Sequence, residues 1–512
     1  MKRIHLFFLL FGISALLCSQ AGHAAAQEGL AGPSAAERMD RELPERLDRQ
    51  VAPNPGETWR APDLTSYTNR LELTELSPID PEKRYSLVEL IDIAESVNPE
   101  TRIAWEGARQ AAIKVGLVES EYFPMLTLSA LGGYQSAPVP VSQVLAPSGF
   151  YRVDFEQVVP TLKLQWLLLD FGRRGTLRDA AKEGLLASNL SFNRKHQEVI
   201  FNVQRAYFGL TSLLSKIAVA QTSLQSARAV RESAEAQARN GLATVSEVSL
   251  ARQQEAQAAF DLEDVLATER DAQVALAESI GIPPTTPIKV TDFSALPPPA
   301  ALEESADKVI DRALVNRPDL IAKVAVLRAK EAEVRHARAA YYPTLSMFSD
   351  AGMLAGRTRV SGFATGLNGS FNASEPSYGI GLALEWKIFE GGAKRRRVEL
   401  AEAERRAAED EVTKARDRAI REVWKAYTDF RLTVRRLDVA AALVDASQKS
   451  FDTTLQSYRN GLSTLIDLLA ARRELTHARF IQVDTKLQLL NSSAALAFST
   501  GTSQSDKPER LP

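Results

Sequence analysis

The feature that most constrains the fold of this chain is a long-range internal duplication. The segment NPETRIAWEGARQAAIKVGLVESEYFP at 98–124 corresponds to RPDLIAKVAVLRAKEAEVRHARAAYYP at 317–343. Farther along, Trp166 corresponds to Trp386 at nearly the same spacing. Because the offset between matching positions is nearly constant over most of the chain, the sequence predicts two copies of one unit rather than an array of many short repeats.

Each copy ends in a long segment that contains no proline. These segments, 161–282 and 377–506, are rich in Ala, Leu, Glu, Gln and Arg, which favour helices. Within each segment an Asn-Gly pair interrupts the helical pattern, at Asn240-Gly241 and again at Asn460-Gly461. Glycine just past a helix end readily adopts the left-handed conformation that caps the helix, so each segment is predicted to form two helices joined by a tight turn.

The outgoing helix of each hairpin is unusually long. It is predicted to extend from Gly172 to Asn240 in the first copy and over an equal stretch, from Gly392 to Asn460, in the second. At 1.5 Å per residue, such a helix extends ~100 Å and needs coiled-coil partners along its length. A helical stretch of about 24 residues comes first in each copy, and we expect it to stack end to end on the shorter returning helix.

Between its helical parts each copy carries two stretches with β-strand alternation. In SYGIGLALEWKIF at 377–389, apolar residues such as Leu382 alternate with small or polar residues such as Ala383. The predicted strands are about 123–134, 158–170, 342–353 and 377–389, with long loops at 135–157 and 354–376 that are rich in Gly, Ser and Pro. Strands of ~9–11 residues with one apolar face are typical of membrane-spanning strands.

Four strands cannot close a barrel by themselves. An open sheet edge in lipid would leave backbone groups without hydrogen-bond partners, so the chain is expected to oligomerise and to share one barrel between protomers. The alternative is an antiparallel sheet in a soluble domain. That sheet would need a covering layer over its apolar face, and the sequence offers none.

The N-terminus has the pattern of a secretory signal peptide. Lys2 and Arg3 precede an apolar stretch, and AAA provides a cleavage site after Ala26. Cys18 is the only cysteine, and a lipoprotein beginning there is the alternative, which Leu17 before it disfavours. The predicted organisation is a signal peptide at 1–26, an N-terminal periplasmic segment at 27–84, a first repeat at 85–282, a Pro-rich linker at 283–300, a second repeat at 301–501 and a tail at 502–512.

In this order, these features resemble the TolC-type outer-membrane efflux family, also called outer membrane factors. The resemblance covers about 85–501 and rests on the doubled unit, the strand entries at Pro124 and Pro343, the strand exits Asp170-Phe171-Gly172 and Glu390-Gly391-Gly392, and the Asn-Gly-Leu turns. It implies a mainly α fold with a membrane β-barrel: two tandem repeats, each a long α-hairpin plus two transmembrane strands. It further implies a homotrimer whose twelve-stranded barrel continues into an α-helical periplasmic tunnel.

The resemblance also implies two kinds of site. Hairpin tips in the family contact a periplasmic adaptor protein, and the matching positions here are Arg239, Asn240, Gly241, Leu242, Thr244, Arg459, Asn460, Gly461, Leu462 and Thr464. Acidic residues narrow the periplasmic mouth, and the matching positions are Glu247 and Asp467. A second acidic ring of some members would fall on Ala470, where this chain departs from the pattern.

Together these observations favour a passive exit duct in the bacterial outer membrane, with a large periplasmic portion. The implied partners are the homotrimer, a periplasmic adaptor, an inner-membrane pump and outer-membrane lipid, whereas a net charge of −2 argues against nucleic acid. We recognise no catalytic or metal-binding pattern, so no enzyme activity, cofactor or metal is predicted. A type I protein-secretion duct and a structural coiled-coil protein of the envelope are the alternatives.

Overall fold

The computed structural model describes residues 78–291, 304–364, 366 and 368–502, which all belong to one compact unit that starts at Ser77. The predicted signal peptide, the N-terminal segment up to 77, the linker residues 292–300 and the tail from 503 lie outside the described residues. Fourteen helices and strands are described, and both copies contain the same series of major elements. In chain order they are β1 (Arg84–Tyr85), α1 (Leu87–Val97), α2 (Pro99–Ser120), β2 (Met125–Pro140), β3 (Phe150–Leu169), α3 (Arg173–Arg239), α4 (Val245–Ile280), β4 (Lys289–Val290), α5 (Ala306–Asn316), α6 (Pro318–Ala339), β5 (Thr344–Ser361), β6 (Gly369–Glu385), α7 (Ala393–Arg459) and α8 (Leu465–Thr500).

The long helices match between the two copies residue for residue. Helices α3 and α7 each contain 67 residues, and α4 and α8 each contain 36. Each long helix begins directly after a glycine in the left-handed conformation, Gly172 with φ of 85° and Gly392 with φ of 82°. At 1.5 Å per residue, each of the two long helices extends ~100 Å.

The helical stretch predicted at the start of each copy is preceded by a second, short helix, α1 in the first copy and α5 in the second. The boundary lies at a proline, because the residue before proline is sterically pushed out of the helical conformation. Asn98 before Pro99 has ψ of 125°, and Arg317 before Pro318 has ψ of 117°. Asn98 also caps α2, since its Oδ1 accepts a hydrogen bond from the Glu100 amide at 2.8 Å.

The returning helix of each copy meets the start of that copy's 22-residue helix. Asn98 Nδ2 donates to the Ser279 carbonyl oxygen at 3.0 Å, across the junction between α4 and α2. In the second copy, Arg317 Nη1 donates to the Ser499 carbonyl oxygen at 3.4 Å, across the junction between α8 and α6. The shorter helices are thereby extended to nearly the length of the long ones, as the arm lengths predict.

Helix packing makes the two copies interlock. Helix α3 packs against α2 and α4 of its own copy and against α6 and α8 of the other. Small side chains allow close approach, since Ala187 of α3 packs against Ala322 and Ala325 of α6. The largest apolar cluster joins α1, α3 and α4 with the short β1–β4 sheet and includes Tyr207 and Leu276, both nearly inaccessible to solvent. The long helices are thus covered by other helices, as their length requires.

The four long strands form one antiparallel sheet in the order β2-β3-β5-β6. They run farther than predicted, so the loops predicted at 135–157 and 354–376 are wrong: the connections are only 141–149 and 362–368. The prediction followed apolar alternation, whereas backbone pairing continues in register into polar segments. The strand predicted to reach 389 ends at Glu385, because its neighbour β5 starts at Thr344, the residue that pairs with Glu385.

A second, two-stranded sheet lies at the beginning of the predicted linker. Strand β4 pairs in parallel with β1, with Arg84 opposite Lys289 and Tyr85 opposite Val290. Lys289 and Val290 fall within 283–300, so that segment is not irregular throughout. Tyr207 of α3 ties this sheet to the helices, because its hydroxyl donates to the Thr291 carbonyl oxygen at 2.8 Å. None of the helices in the described ranges contains a stretch apolar and long enough to cross a membrane.

Candidate functional site

The two Asn-Gly turns have the same backbone geometry. Gly241 has φ of 74° and Gly461 has φ of 73°, the left-handed conformation expected from the sequence. The amide of Leu242 donates to the Gln237 carbonyl oxygen at 2.8 Å, and the amide of Leu462 donates to the Ser457 carbonyl oxygen at 2.8 Å. This is the hydrogen bond of a Schellman motif, which satisfies carbonyl groups left free at the helix end. Each tip is therefore a tight turn with a fixed backbone.

The helix that follows each turn starts with a capping box. Thr244 Oγ1 accepts from the Glu247 amide at 3.2 Å, and Glu247 Oε2 accepts from the Thr244 amide at 2.7 Å. In the second copy, Thr464 Oγ1 accepts from the Asp467 amide at 3.2 Å, and Asp467 Oδ2 accepts from the Thr464 amide at 3.0 Å. The reciprocal bonds satisfy backbone donors at the start of α4 and α8.

Both predicted gate residues also cap the helices that begin at the tips, a role that was not predicted from the sequence. Glu247 and Asp467 lie at the third helical position, where their carboxylates bind the backbone of their own chain. Hydrogen bonds from the Thr464 side chain and backbone hold the pKa of Asp467 below its usual value. The pattern Thr-x-x-Glu/Asp after each Asn-Gly turn was visible in the sequence and is the signal of a capping box. Ala470, at the position of the missing second acidic ring, is half-buried.

The structure brings the two tips together. Tyr458 donates its hydroxyl hydrogen to Gln237 Oε1 at 3.0 Å, which connects the last turns of α3 and α7. Behind the turns, Leu465 and Leu468 of α8 pack with Ala234 of α3 in a buried cluster. All ten predicted tip residues are exposed. The predicted tip residues therefore form one continuous end of the helical bundle.

Apolar side chains remain exposed at both tips. Leu242 and Leu462 are 78% and 81% exposed, although each follows a rigid turn. Val245 and Ile466, in the first turn of the following helices, are exposed as well. A pair of solvent-exposed aliphatic side chains on a fixed backbone at each tip is the kind of surface that a helical partner can cover.

A buried arginine near the tips was not singled out from the sequence. Arg472 of α8 is only 5% exposed, and its Nε has no hydrogen-bond partner among the described residues. The equivalent arginine of the first copy, Arg252, is exposed, and its Nη2 lies 2.9 Å from Oε1 of Glu235. Leu455 stands at the position that corresponds to Glu235. Pairing each residue with its equivalent in the other copy would have revealed this unmatched arginine.

Burial disfavours the charged form of Arg472. Its guanidinium lies between the two hairpins, where Nη1 donates to the Ser223 carbonyl oxygen at 3.4 Å and Nη2 to Gln254 Oε1 at 3.5 Å. Loss of solvent lowers the pKa of Arg472. Neutral acceptors at such distances replace a water shell incompletely, so this contact between hairpins carries a desolvation cost.

At the opposite end of the helices, a tryptophan connects sheet and helix in each copy. Trp166 Nε1 donates to the Tyr122 carbonyl oxygen at 2.9 Å, and Trp386 Nε1 donates to the Tyr341 carbonyl oxygen at 3.0 Å. In the first copy, Asp170 Oδ2 also accepts from Arg174 Nε at 3.0 Å, and both side chains are buried. These contacts fix the direction in which each strand enters its long helix.

The sheet has one continuous apolar face, which follows from its register. Paired residues share a face, and every second residue along a strand returns to it. Leu128, Leu162, Ala351 and Tyr378 form one row across the four strands, and Leu126, Leu164, Ser349 and Ile380 form the next. The predicted apolar set of β6, including Leu382 and Leu384, lies on this face, and these two side chains are mostly exposed.

The other face of the sheet carries small and polar residues. Lys163, Gln165 and Asp350 lie on it, together with the glycines Gly379 and Gly381. Phe348 also lies on this face and occupies the space over Gly381, where an added Cβ would be 2.5 Å from the phenylalanine ring. Strands β2 and β6 are the two edges, and neither has a second neighbour in the described part of the chain. Within that part, no group of three or more His, Cys, Asp or Glu side chains is placed to hold a metal ion.

Comparison with known proteins agrees with this architecture. The model of the family described as "Outer membrane efflux protein" matches residues 90–282 and 309–502. The chain is 25% identical to the solvent efflux pump outer membrane protein SrpC of Pseudomonas putida over 424 residues, which covers 81% of this chain and 85% of that protein. It is 29% identical to the pyoverdine export outer membrane protein OpmQ of Pseudomonas putida, covering 67% of this chain and 70% of that protein.

Solved structures show the same fold. The outer-membrane channel OprN superposes with a TM-score of 0.69 at 22% identity, over 84% of this chain and 95% of that one. The family match covers both copies of the unit, including the long hairpins and the strands. The chain therefore belongs to the outer membrane efflux protein family and is localised to the outer membrane.

Proposed function

We propose that this protein is the outer-membrane exit duct of a tripartite efflux system. It conducts substrates passively from a periplasmic adaptor and an inner-membrane pump to the exterior, and it catalyses no reaction itself. The observation that carries the proposal is a sheet with one apolar face whose two edge strands have no further neighbour among the described residues, and which continues into a bundle of helices of matched length. A sheet of this kind is incomplete in one chain, and the helices provide a conduit only when several chains surround an axis.

The proposed assembly is a homotrimer. Hydrocarbon offers no hydrogen-bond partner to the free backbone groups of β2 and β6, so these edges must pair with other chains. Pairing β6 of one protomer with β2 of the next closes the sheet, and three chains of four strands supply the twelve strands that the family resemblance implies. The small and polar face would then line the lumen, while the apolar face contacts lipid.

The tips are the proposed docking surface for the adaptor. Arg239, Asn240, Gly241, Leu242 and Thr244, with their second-copy equivalents Arg459, Asn460, Gly461, Leu462 and Thr464, form an exposed surface on a fixed backbone. Its exposed leucines would provide apolar contact, and the flanking polar groups would set the register. Glu247 and Asp467 lie directly behind and are the proposed gate, in addition to capping their helices.

The class of substrate is proposed from the relatives. SrpC and OpmQ are named for efflux of solvent and export of pyoverdine, so small molecules are favoured here over a secreted protein. The structural alternative, a coiled-coil protein without a conduit, leaves the unpaired sheet edges unexplained.

Two measurements test the assembly. Native mass measurement in mild detergent should give three copies per particle, and the same preparation should conduct ions in a planar bilayer. A stable monodisperse monomer, or a trimer that never conducts, would contradict the proposed duct.

The docking surface is tested by cross-linking to the adaptor in cells. Leu462→Asp should abolish cross-linking and export while the trimer persists, because it places a charge in an apolar contact without changing the turn. The matched control is Phe260→Asp, an exposed apolar position ~20 Å along α4 from the turn of the other hairpin. Normal cross-linking by Leu462→Asp would exclude the tip from docking.

The gate needs variants that separate charge from capping. Asp467→Asn removes the charge but keeps a side-chain oxygen that can accept from the Thr464 amide, whereas Asp467→Ala removes both. If the carboxylate ring attracts cations at the mouth, both variants should reduce the cation preference of the channel. If only the alanine variant changes the channel, Asp467 acts as a helix cap and not as a gate.

A further inference from the structure

The apolar face of the sheet becomes charged toward the end that carries the 141–149 and 362–368 loops. Three arginines lie there on the same face as Leu162 and the rest of the apolar rows, because all share its alternation and register. We name them the outward rim: Arg152, Arg357 and Arg359. All three side chains are exposed.

The height of the rim follows from the length of the apolar rows. Ten residues of β6 separate Leu384 from Ser374, the last position before the rim. Ten residues correspond to ~34 Å of strand, or ~26 Å of height at the ~40° tilt of barrel strands. The apolar band of a membrane barrel is ~25 Å tall. The rim therefore starts where the hydrocarbon ends and the headgroups begin.

The charges of the rim are only partly neutralised within the chain, because Asp154 attracts Arg152 and Arg359 electrostatically. Glu156 is opposite Arg357 and Asp154 is opposite Arg359 in the register, so three positive groups face two negative ones. The described residues nevertheless provide no salt bridge to any of the three guanidinium groups. Arg357 Nε donates only to the neutral Asn372 Oδ1, at 3.3 Å, and Asp154 Oδ1 accepts from the Tyr134 hydroxyl at 3.0 Å. The rim therefore keeps one excess positive charge, and exposed guanidinium groups held in no contact ion pair are available to an anionic ligand.

The described residues of the connecting loops contact each other and the opposite face of the sheet. Tyr151 belongs to the opposite face of β3, and its ring stacks on Phe363 of the second loop with centroids 4.4 Å apart. The loops also contact each other, since the Ala364 amide donates to the Leu145 carbonyl oxygen at 2.8 Å. Val153, next to Arg152 but on the covered face, is buried. The rim is thus left open on the side that the proposed barrel turns toward the membrane.

We propose that the outward rim binds the phosphate groups of a phosphorylated glycolipid in the adjoining membrane leaflet. This inference rests on the proposed barrel. Arg357 and Arg359 are two residues apart on one strand, ~7 Å, and Arg152 lies diagonally across on the next. Arginine binds phosphate through two parallel hydrogen bonds, so the rim can hold more than one phosphate.

The neighbours of the rim indicate the rest of the ligand. The hydroxyl groups of Ser136, Ser361 and Ser370 and the amide of Asn372 lie on the same face in the same rows. A single-phosphate lipid would leave most of these groups unused. A lipid with several phosphates separated by hydroxylated sugars matches both the spacing of the guanidinium groups and the hydrogen-bonding groups between them.

The test uses the full-length protein, purified as a conducting trimer in neutral detergent. The probe is a bis-phosphorylated lipid A, compared with its dephosphorylated form and with phosphatidylglycerol, and binding is measured by native mass spectrometry. The rim variant is the triple substitution Arg152→Gln, Arg357→Gln and Arg359→Gln. The control removes the same charge from exposed positions of α7, through Arg416→Gln, Arg421→Gln and Arg435→Gln.

We expect the native protein and the α7 control to bind the bis-phosphorylated probe at least about tenfold more tightly than either comparison lipid. The rim variant should lose that difference, because each lost charge-assisted contact reduces binding by about tenfold. Equal binding by the rim variant, or equal binding of the dephosphorylated probe, would overturn the inference. Tighter binding of phosphatidylglycerol would overturn the choice of glycolipid. Because trimer and conductance are checked in the same preparation, these outcomes leave the proposed duct unaffected, whereas loss of trimer or conductance in the native protein refutes the duct itself.

Discussion

Four glycines, each directly past the C-terminal end of a helix of the two hairpins, should respond very differently to substitution by alanine. Gly241 and Gly281 both have positive φ, 74° and 88°. At Gly241 an added Cβ would meet no atom within 4 Å. At Gly281 it would lie 2.7 Å from Cδ of Pro99 and 2.9 Å from Cα of Asn98, because α4 ends directly against α2. Gly461 and Gly501 repeat the contrast, with the backbone of Asn316 and Arg317 as the obstacle.

The magnitudes follow from these contacts. Alanine at a left-handed position costs ~1 kcal/mol, and this is the whole cost expected for Gly241→Ala. Gly281→Ala adds an overpacking cost of ~1–3 kcal/mol, since backbone and a proline ring must move. The expected total is therefore ~2–4 kcal/mol at the junction of α4 and α2. Every ~1.4 kcal/mol changes an equilibrium about tenfold.

Hydrogen exchange of the purified trimer measures each effect where it arises. Gly281→Ala should speed exchange of the amides on both sides of the junction by about 30-fold or more, while Gly241→Ala should speed exchange only around the tip, by about fivefold. If both variants have the same effect, or if the junction of Gly281→Ala stays fully protected, the end-to-end contact of the helices does not determine their stability and the reasoning is wrong.

Three further results are expected. Leu382→Arg should impair membrane insertion by ~2–4 kcal/mol in a folding titration into lipid, whereas Ala383→Arg on the opposite face should be milder, and equal damage would refute the facing. Arg472→Met should raise the unfolding temperature by removing a buried charge worth ~1–3 kcal/mol, while Arg252→Met should change it little; a destabilised Arg472→Met would mean that another protomer supplies a partner. The pKa of Asp467 is lowered in the folded protein, so its cap stabilises α8 above about pH 4 and this stabilisation is lost as the pH falls through the lowered pKa. Hydrogen exchange at the start of α8 should therefore speed up in acid. The Asp467→Asn variant should lose this pH dependence.

The helices were more predictable than the sheet. Helix formation depends on residues close in sequence, so the absence of proline and the two Asn-Gly pairs were enough to locate α3, α4, α7 and α8. Strand pairing depends on backbone hydrogen bonds to a distant segment, which polar residues can also make. The apolar alternation stops after Tyr378 in the direction of the loop, yet β6 begins nine residues earlier, at Gly369. The charged ends of the strands were consequently assigned to loops.

The site was predictable only in its local parts. The tight turns at Gly241 and Gly461 follow from short motifs, and so do the capping boxes behind them. The burial of Arg472 does not, because it depends on how the second hairpin lies against Ser223 and Gln254 of the first. In the sequence, only comparison between the two copies indicates that Arg472 lacks a carboxylate partner, because Leu455 stands where the first copy has Glu235.

The equal lengths of α3 and α7 restrict which insertions and deletions the chain can accept. One residue added to α3 alone would move its tip by ~1.5 Å along the axis and rotate it by about 100° relative to the tip of α7. The Tyr458–Gln237 contact between the tips would then be broken. Adding seven residues to one helix nearly restores the angle but shifts its tip by ~10 Å. The helical bundle can therefore lengthen or shorten only when both copies change by the same number of residues, so compatible insertions and deletions must occur in both halves of the gene together.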